Sequence, residues 1–169
     1  MKNIYLVGMP GSGKSRLGKV IAEKLGRVLI DTDEEITKSA GRSPEDIISL
    51  YGEARLRSLE TGLMERITGE TGLIVSTGGG LPAWHDHMRL MNDSGITVYI
   101  HYAPEILWAR IKDDRSRPLS SSLLDVQNLL AARIQVYEKS HIIVQGVQNF
   151  EENAAGVLRA ILAYTSDVL

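Results

Sequence analysis

The residues of this chain that most clearly could do chemistry form a glycine-rich segment near the start, GMPGSGKS. Gly8, Gly13, Lys14 and Ser15 fit the pattern G-x-x-x-x-G-K-[ST] without a gap. Glycines let successive backbone N–H groups form a nest for phosphate oxygens, and a helix N-terminus adds further donors. Lys14 would contact the β- and γ-phosphates, and Ser15 could bind Mg²⁺. An exposed flexible loop is the alternative, but the full match favours a nucleoside triphosphate site.

Two aspartates follow the second predicted strand, in the stretch RVLIDTDEEI. Side chains two residues apart point the same way in an extended chain, so Asp31 and Asp33 are expected to face the crevice at the C-terminal ends of the strands. One carboxylate could serve a metal, and the other could act on an acceptor hydroxyl. The structural alternative is that Thr32 or Asp33 caps a following helix.

An arginine–glutamate pair and a run of glycines offer further candidates. Arg57 and Glu60 are three residues apart on a predicted helix. They form either an exposed ion pair of little energetic consequence or a guanidinium that Glu60 holds toward a substrate carboxylate. The stretch STGGGLP, which follows the third strand, would either let the backbone approach a ligand closely or form a loose turn.

A polar segment, DDRSRPLSSSLLD, covers residues 113–125. We interpret it as an excursion over a site, in which Arg115 or Arg117 brings positive charge onto the γ-phosphate as the segment closes. Charged loop residues are also often merely solvated. Arg133 follows on a predicted helix with Leu129 and Ile134.

Short apolar runs alternate with helical periodicity, and these elements must position the candidate residues. Strands are predicted at residues 4–7, 28–30, 73–76, 97–101 and 142–145. Apolar spacing predicts helices around residues 17–25, 56–67 and 150–161, the first of them ending at Gly26. Strands separated by helices favour an α/β fold with right-handed crossovers and a parallel sheet buried on both faces.

Composition limits the possible classes of protein. The 169 residues, of which 43% are hydrophobic and 24% charged, suit one globular domain spanning residues 1–169. The net charge of −2 gives no electrostatic case for a nucleic-acid or anionic-membrane partner. The absence of cysteine excludes disulfides and thiolate metal sites. Because the first apolar run is too short for a signal peptide, we expect a cytoplasmic protein.

Together these residues resemble the shikimate kinase family over nearly the whole chain. The stretches that carry the resemblance occur in the family's order and at its approximate spacing: GMPGSGKS, DTDEEI, GEARLRSLE, STGGGL, RSRPL and ARIQVYEKS. The glycine-rich motif alone is shared by many nucleotide enzymes, so the specificity comes from the combination.

The resemblance implies a three-layer P-loop fold like that of nucleoside monophosphate kinases. Its parallel sheet would have five strands in the order 2-3-1-4-5, flanked by helices, with a substrate-binding region at about residues 32–60 and a mobile lid at about residues 113–125. The implied reaction is ATP-dependent phosphorylation of the 3-hydroxyl of shikimate by direct in-line transfer, in aromatic amino acid biosynthesis. Mg²⁺ is the implied cofactor, ATP and shikimate are the implied partners, and a monomer is expected.

The resemblance also implies roles for individual residues. The implied catalytic residues are Asp33, Lys14 and Arg117. The residues implied to bind ATP are Gly11, Ser12, Gly13, Lys14, Ser15, Arg16, Arg110 and Arg117. Those implied to bind shikimate are Asp33, Arg57, Gly78, Gly79, Gly80 and Arg133. The implied Mg²⁺ ligands are Ser15 and, through a water molecule, Asp31.

Two positions depart from the family pattern. Leu56 stands where an aromatic residue is usual, so that wall of the substrate pocket can differ. The helix of Arg133 has Gln135 in place of the proline of R-x-P-x-Y, although it keeps Tyr137.

Two other functions compete for these residues. A kinase of another small metabolite, such as gluconate, would share the phosphate motif but would not need two arginines for a ring-borne carboxylate. A nucleotide-dependent switch would be expected to carry the guanine-reading N-K-x-D, which does not occur in the sequence. His85 and His87 diverge at i,i+2 spacing and are not expected to bind a metal.

Overall fold

The computed structural model describes residues 1–113 and 122–167, and the described strands form one parallel sheet. The strand order is β2-β3-β1-β4-β5, which confirms the predicted fold. The strands are β1 Asn3–Val7, β2 Leu29–Asp31, β3 Ile74–Ser76, β4 Gly95–His101 and β5 Ile142–Gln145. The helices are α1 Lys14–Leu25, α2 Thr32–Ala40, α3 Pro44–Tyr51, α4 Glu53–Thr68, α5 His87–Ser94, α6 Pro104–Ile111, α7 Leu123–Tyr137 and α8 Phe150–Asp167, with a short 3₁₀ helix at Leu81–Ala83.

The central strand explains why the candidate residues converge. Ile4 of β1 pairs with Ile74 of β3 on one side and with Ile96 of β4 on the other, and every residue of β1 is buried. Such burial is expected of a parallel strand covered on both faces by helices. Because the strands run in one direction, the segments that follow β1, β2 and β3 emerge at the same edge of the sheet.

Four predicted helices form, as α1, α4, α7 and α8, and local chemistry sets several of the helix ends. Gly26 ends α1 in the left-handed conformation, with φ of 62°, as its position in the sequence predicts. The sequence assigned no bounds to the four shorter helices: α2 was considered only as an alternative and α5 only as a helix start near His85 and His87, and α3 and α6 were not predicted. Two of them carried a recognisable start: Ser43 caps α3 ahead of Pro44, and Pro104 opens α6.

The expected geometry of the two aspartates is wrong. The strand β2 ends at Asp31, whose side chain accepts hydrogen bonds from the backbone N–H groups of Asp33 at 3.1 Å and Glu34 at 3.4 Å. Asp31 is therefore the N-cap of α2, and the caps considered from the sequence, Thr32 and Asp33, lie inside the helix. Since the chain is helical from Thr32, the two carboxylates do not share one face of an extended strand.

Most of the predicted lid lies outside the described residues, including Arg115 and Arg117. On its C-terminal side, the Ser122 hydroxyl accepts a hydrogen bond from the backbone of Asp125 at 3.1 Å and caps α7. The last three residues of the proposed lid therefore form the first turn of that helix. In the two described parts of the chain, every helix is too short or too polar to cross a bilayer.

Candidate active site

A cleft of about 530 Å³ opens at the C-terminal edge of the sheet and gathers most of the predicted site residues. The predicted residues that line it are Gly11, Gly13, Lys14, Ser15, Arg16, Asp31, Asp33, Arg57, Gly78, Gly79, Gly80, Arg110 and Arg133. Ser12 is buried behind it, and Arg117 lies outside the described residues. We call residues 8–15 the phosphate loop, and we call Arg57, Arg133 and the glycines 78–80 the arginine end.

The phosphate loop needs glycine for both conformation and space. Gly8, Gly11 and Gly13 have positive φ angles of 151°, 82° and 81°. A Cβ on Gly8 would lie 2.9 Å from the carbonyl oxygen of Ile100, too close for a side chain. Gly13 precedes α1 without a side-chain cap, so the first N–H groups of that helix are available to an anion.

Lys14 and Ser12 hold the shape of the loop. The Lys14 ammonium donates to the carbonyl oxygens of Gly8 at 2.8 Å and Met9 at 2.9 Å, and to the Ser12 hydroxyl at 3.2 Å. Ser12 in turn donates to Met9 at 2.7 Å. Lys14 is only 7% exposed, so its charge lies in a weakly screened environment where a phosphate oxygen would be strongly attracted.

Oxygen ligands suited to Mg²⁺ meet beside the loop. The Ser15 hydroxyl donates to the second carboxylate oxygen of Asp31 at 2.6 Å, and it lies 3.4 Å from the Ser76 hydroxyl. Hydroxyl and carboxylate oxygens fit this hard cation, which usually takes one or two carboxylates and completes its shell with phosphate and water. Across the described residues, no three or more His, Cys, Asp or Glu side chains come together in a group that could hold a metal ion.

Arg57 and Glu60 form a buried pair, which excludes the exposed ion pair considered from the sequence. Arg57 is 8% exposed and Glu60 is 2% exposed. Glu60 accepts from Nη1 of Arg57 at 2.7 Å, and Glu53 accepts from Nη2 at 2.7 Å and from Nε at 3.2 Å. Burial alone would lower the pKa of Arg57, but the two carboxylates raise it above its ordinary value. Burial raises the pKa of Glu60, which the guanidinium partly offsets.

These bonds leave Arg57 able to bind one more anion. Guanidinium has five N–H groups, of which Glu53 and Glu60 take three. One N–H therefore remains on each terminal nitrogen without a partner among the described residues. A carboxylate has two oxygens and can accept from both terminal nitrogens of a guanidinium.

The three glycines are fixed in place, so the loose turn considered from the sequence is wrong. Thr32 accepts a hydrogen bond from the Gly78 N–H at 2.8 Å, and the Tyr137 hydroxyl donates to the Gly79 carbonyl at 2.6 Å. None of the three has a positive φ angle. Their lack of a side chain is therefore needed for space.

Each glycine packs against a different candidate residue. A Cβ on Gly78 would overlap the carboxylate of Asp33. A Cβ on Gly79 would lie 3.2 Å from Arg133 Nη1, and one on Gly80 would lie 2.7 Å from Arg57 Nη2. The three glycines therefore lie against Asp33, Arg133 and Arg57 in turn. The absence of a Cβ lets these three side chains approach the backbone closely.

Two arginine–aromatic contacts border the other side of the phosphate loop. Arg110 donates to the Gly11 carbonyl at 3.1 Å, and its guanidinium lies 4.2 Å from the centre of the Tyr102 ring. Arg16 lies 3.5 Å from the centre of the Phe150 ring. Planar cations stacked on aromatic rings provide a flat surface that can take a further planar group.

Sequence reasoning missed several residues that support the site. Glu53 lies four residues before Arg57 on a predicted helix, and that spacing could have identified it. Thr32 was considered only as a cap. His87 is buried and contacts Leu81 and Thr61, and no local pattern in the sequence indicates these partners.

A family model and two relatives of this chain carry the same description. The family model described as Shikimate kinase matches residues 10–163. Shikimate kinase of Persephonella marina is 41% identical over 84% of this chain and 87% of its own length. Shikimate kinase of Clostridium botulinum strain 657 is 37% identical over 95% of this chain and 96% of its own length.

Two solved structures resemble the chain to different degrees. A shikimate kinase from Acinetobacter baumannii in complex with shikimate superposes with a TM-score of 0.91 and 31% identity, covering 97% of this chain and 94% of that one. A gluconokinase from Sinorhizobium meliloti superposes with a TM-score of 0.68 at 20% identity, over 99% of this chain and 95% of that one. The latter is a likeness of fold alone.

Proposed function

The chain belongs to the shikimate kinase family, and from that premise we propose that it transfers the γ-phosphoryl group of ATP to the 3-hydroxyl of shikimate. The observation that carries the proposal is Arg57 with its two remaining N–H groups, in the same cleft as the phosphate loop. An arginine so prepared suits an acceptor that carries a carboxylate. The 3-hydroxyl itself is inferred from family membership.

The two ends of the cleft would hold the two substrates. The amides of the phosphate loop and the Lys14 ammonium would bind the β- and γ-phosphates. Arg57 and Arg133 would bind the shikimate carboxylate, while Gly78, Gly79 and Gly80 let the ring approach the backbone. Arg110 and Arg16 would border the adenine, because both are stacked on aromatic rings beside the loop.

Asp33 would act on the reacting hydroxyl. It lines the cleft and packs against Gly78, next to the phosphate loop and the arginine end. A carboxylate there can orient the hydroxyl and accept its proton as the oxygen attacks the γ-phosphorus. The hydroxyl proton passes to the carboxylate, and the γ-phosphoryl group passes directly from ATP to the acceptor oxygen, with ADP as the leaving group and without a covalent enzyme intermediate.

Ser15 and Asp31 are the residues that would hold Mg²⁺, Asp31 through water. When bound, the ion supplies positive charge to the β- and γ-phosphate oxygens. Asp31 also caps α2, so the same side chain fixes the helix that carries Asp33. Asp31 therefore connects the proposed Mg²⁺ site to the helix that carries the proposed base, Asp33.

The gluconate alternative shares the fold, so the choice rests on the arginine end. A sugar acid offers its carboxylate on a flexible chain, whereas Arg57 is held by two carboxylates and a flat glycine surface. A fixed guanidinium favours a rigid ring that presents its carboxylate in one orientation.

The deciding experiment is an ADP-release assay with ATP and Mg²⁺, run in parallel with shikimate, gluconate and nucleoside monophosphates. Of these parallel reactions, we expect only the one with shikimate to release ADP. In nuclear magnetic resonance spectra of its product, the phosphorus should couple to the proton on carbon 3. Release with gluconate in place of shikimate would overturn the proposal. Phosphate on another hydroxyl would overturn the assigned acceptor position.

Other expectations from the sequence remain predictions. These are the lid at residues 113–125, the contact of Arg117 with the transferred phosphate, the monomeric state and the cytoplasmic location. Sedimentation of the 18.6 kDa chain would test the monomer. An Arg117→Lys variant with reduced turnover but unchanged shikimate KM would support the lid contact.

A further inference from the structure

A buried histidine connects the two walls of the arginine end. His87, the first residue of α5, is 2% exposed. Its Nδ1 lies 2.9 Å from the carbonyl oxygen of Leu81, one residue after the glycine run. Its Nε2 lies 3.2 Å from the hydroxyl of Thr61, one helical turn after Arg57 on α4. The imidazole therefore spans the gap between the glycine segment and the helix that carries Arg57.

The Thr61 hydroxyl continues the connection to Arg57. It donates to the backbone carbonyl of Arg57 at 2.9 Å. On the other side, Leu81 is tied to the glycine run, because its N–H donates to the Gly78 carbonyl at 3.2 Å. A continuous path of hydrogen bonds thus runs from the backbone of Arg57 through Thr61 and His87 to the glycines on which the guanidinium lies.

The hydrogen-bond partners and the burial of His87 indicate which of its ring nitrogens carries a hydrogen. The Leu81 carbonyl can only accept, so Nδ1 carries a hydrogen. Burial lowers the pKa of His87, so the ring is neutral near pH 7 and its Nε2 is an acceptor. Thr61 then has one hydroxyl hydrogen and two acceptors within hydrogen-bonding distance, the Arg57 carbonyl at 2.9 Å and Nε2 of His87 at 3.2 Å.

We propose that His87 and Thr61 are positioning residues for the acceptor acid: they fix the distance between Arg57 and the glycine segment and thereby the orientation of the substrate carboxylate. This inference rests on the proposed function. Neither His87 nor Thr61 is among the described residues that line the cleft, so the effect of the pair would pass through Arg57. Because the phosphate loop shares no hydrogen bond with the pair among the described residues, ATP binding should be independent of it.

The test compares matched threonine variants on one helix. Thr61→Val removes the hydroxyl that meets His87 while keeping the side-chain shape. Thr68→Val is the control, because Thr68 also donates to the carbonyl four residues earlier, that of Met64, at 2.9 Å and lies on the same helix without a histidine partner. We expect Thr61→Val to raise the shikimate KM about fivefold, as the loss of one hydrogen bond would, with the ATP KM unchanged. Thr68→Val should change neither constant.

A double variant tests whether the pair acts as one unit. His87→Asn can keep the donor to Leu81 but loses the contact with Thr61. If the two residues act through their shared bond, Thr61→Val combined with His87→Asn should raise the shikimate KM little more than the larger single effect. Additive effects, or a lowered unfolding temperature with an unchanged shikimate KM, would overturn the proposal.

A measurement without substrate separates this inference from the proposed function. The Nε–H signal of Arg57 in nitrogen-15 spectra of the free protein should shift in Thr61→Val and in His87→Asn, and should stay in place in Thr68→Val. If this occurs in a protein that does not phosphorylate shikimate, the proposed function fails and the positioning of Arg57 stands. If shikimate turns over but neither the signal nor its KM responds, the positioning role fails.

Discussion

The phosphate loop and the arginine end lie in one cleft, yet they are built in different ways. The phosphate loop is a contiguous stretch whose proposed binding groups are backbone N–H groups, one ammonium and one hydroxyl. The arginine end combines residues from α4, α7 and the segment after β3, and its binding groups are side chains held by other side chains. Local sequence therefore determines the first, whereas the second exists only after the chain has folded.

The glycines show the same difference most directly. Gly13 of the phosphate loop has φ of 81°, and a Cβ added to it would meet no atom within 4 Å, so its role there is conformational. Gly80 has φ of −81°, which any residue can adopt, but a Cβ would lie 2.7 Å from Arg57. One end of the cleft uses glycine for a backbone conformation, and the other uses it for space.

The largest effect is expected where the two ends meet. Asp33→Asn should lower kcat by about 10²- to 10⁴-fold, because an amide cannot accept the hydroxyl proton, while the ATP KM changes by less than about twofold. Glu34→Gln is the control, since Glu34 is exposed in the same helical turn. Steady-state kinetics with each substrate varied would check this. Turnover within a few-fold of the unchanged protein would show that Asp33 is not the base.

A second variant should affect one end alone. Arg57→Lys keeps a charge beside Glu60 but loses the paired N–H groups, so the shikimate KM should rise about 10- to 100-fold. The ATP KM should remain unchanged. Arg55→Lys, at an exposed position on the same helix, should leave both constants unchanged. Equal loss for both substrates would indicate a folding defect and contradict the separation of the two ends.

Alanine at the two kinds of glycine would sharpen the comparison. Gly80→Ala should raise the shikimate KM about tenfold by displacing Arg57, and Gly13→Ala should raise the ATP KM through a backbone strain of about 1–2 kcal/mol. Gly62→Ala on α4 is the control, because no atom lies within 4 Å of its Cβ position and φ is not positive. It should leave both constants unchanged and stabilise the helix by up to about 1 kcal/mol. A reversed pattern of KM changes would contradict the two roles of glycine.

The sequence predicted the sheet and the phosphate loop because both depend on neighbouring residues. Apolar runs gave all five strands to within two residues of their ends, and the order followed from the family resemblance. The Arg57–Glu60 pair was also visible, because its spacing is helical. Its burial was not, since burial depends on α2, α3 and α5 packing around α4.

The errors arose where local preferences compete. Asp31 can continue a strand or cap a helix, and the structure uses it as a cap, which places Asp33 in α2. The His87–Thr61 contact joins residues 26 positions apart, so it depends on tertiary structure. A short polar sequence around His85 and His87 gives no periodicity from which that packing could be derived.

The smallest effect concerns the protonation of His87, which lies beside the arginine end. Burial lowers the pKa of His87 below its ordinary 6.5, with the charges of His85 and Arg57 acting in the same direction and Leu81 and Asp86 opposing it. The unfolded chain therefore binds this proton more readily, so the contribution of His87 to the free energy of unfolding is largest above pH 6.5 and falls as the pH decreases below it. One such proton contributes at most about 1.4 kcal/mol per pH unit.

Denaturant unfolding at about pH 7.5 and about pH 5.5 would measure this contribution. In His87→Asn, the free energy of unfolding should fall less between the higher and the lower pH than in the unchanged protein. This holds whether or not the substitution changes the free energy of unfolding at the higher pH. His141→Asn provides the comparison, because burial also lowers the pKa of His141, which immediately precedes β5 and is not among the described residues that line the cleft. Both variants should flatten the pH dependence of unfolding. Acidification should raise the shikimate KM less in His87→Asn than in His141→Asn, which keeps His87. The reason is that the protonated His87 ring must donate to Thr61 and adds positive charge beside Arg57. An equal response of the shikimate KM in both variants would show that the protonation of His87 does not reach the arginine end.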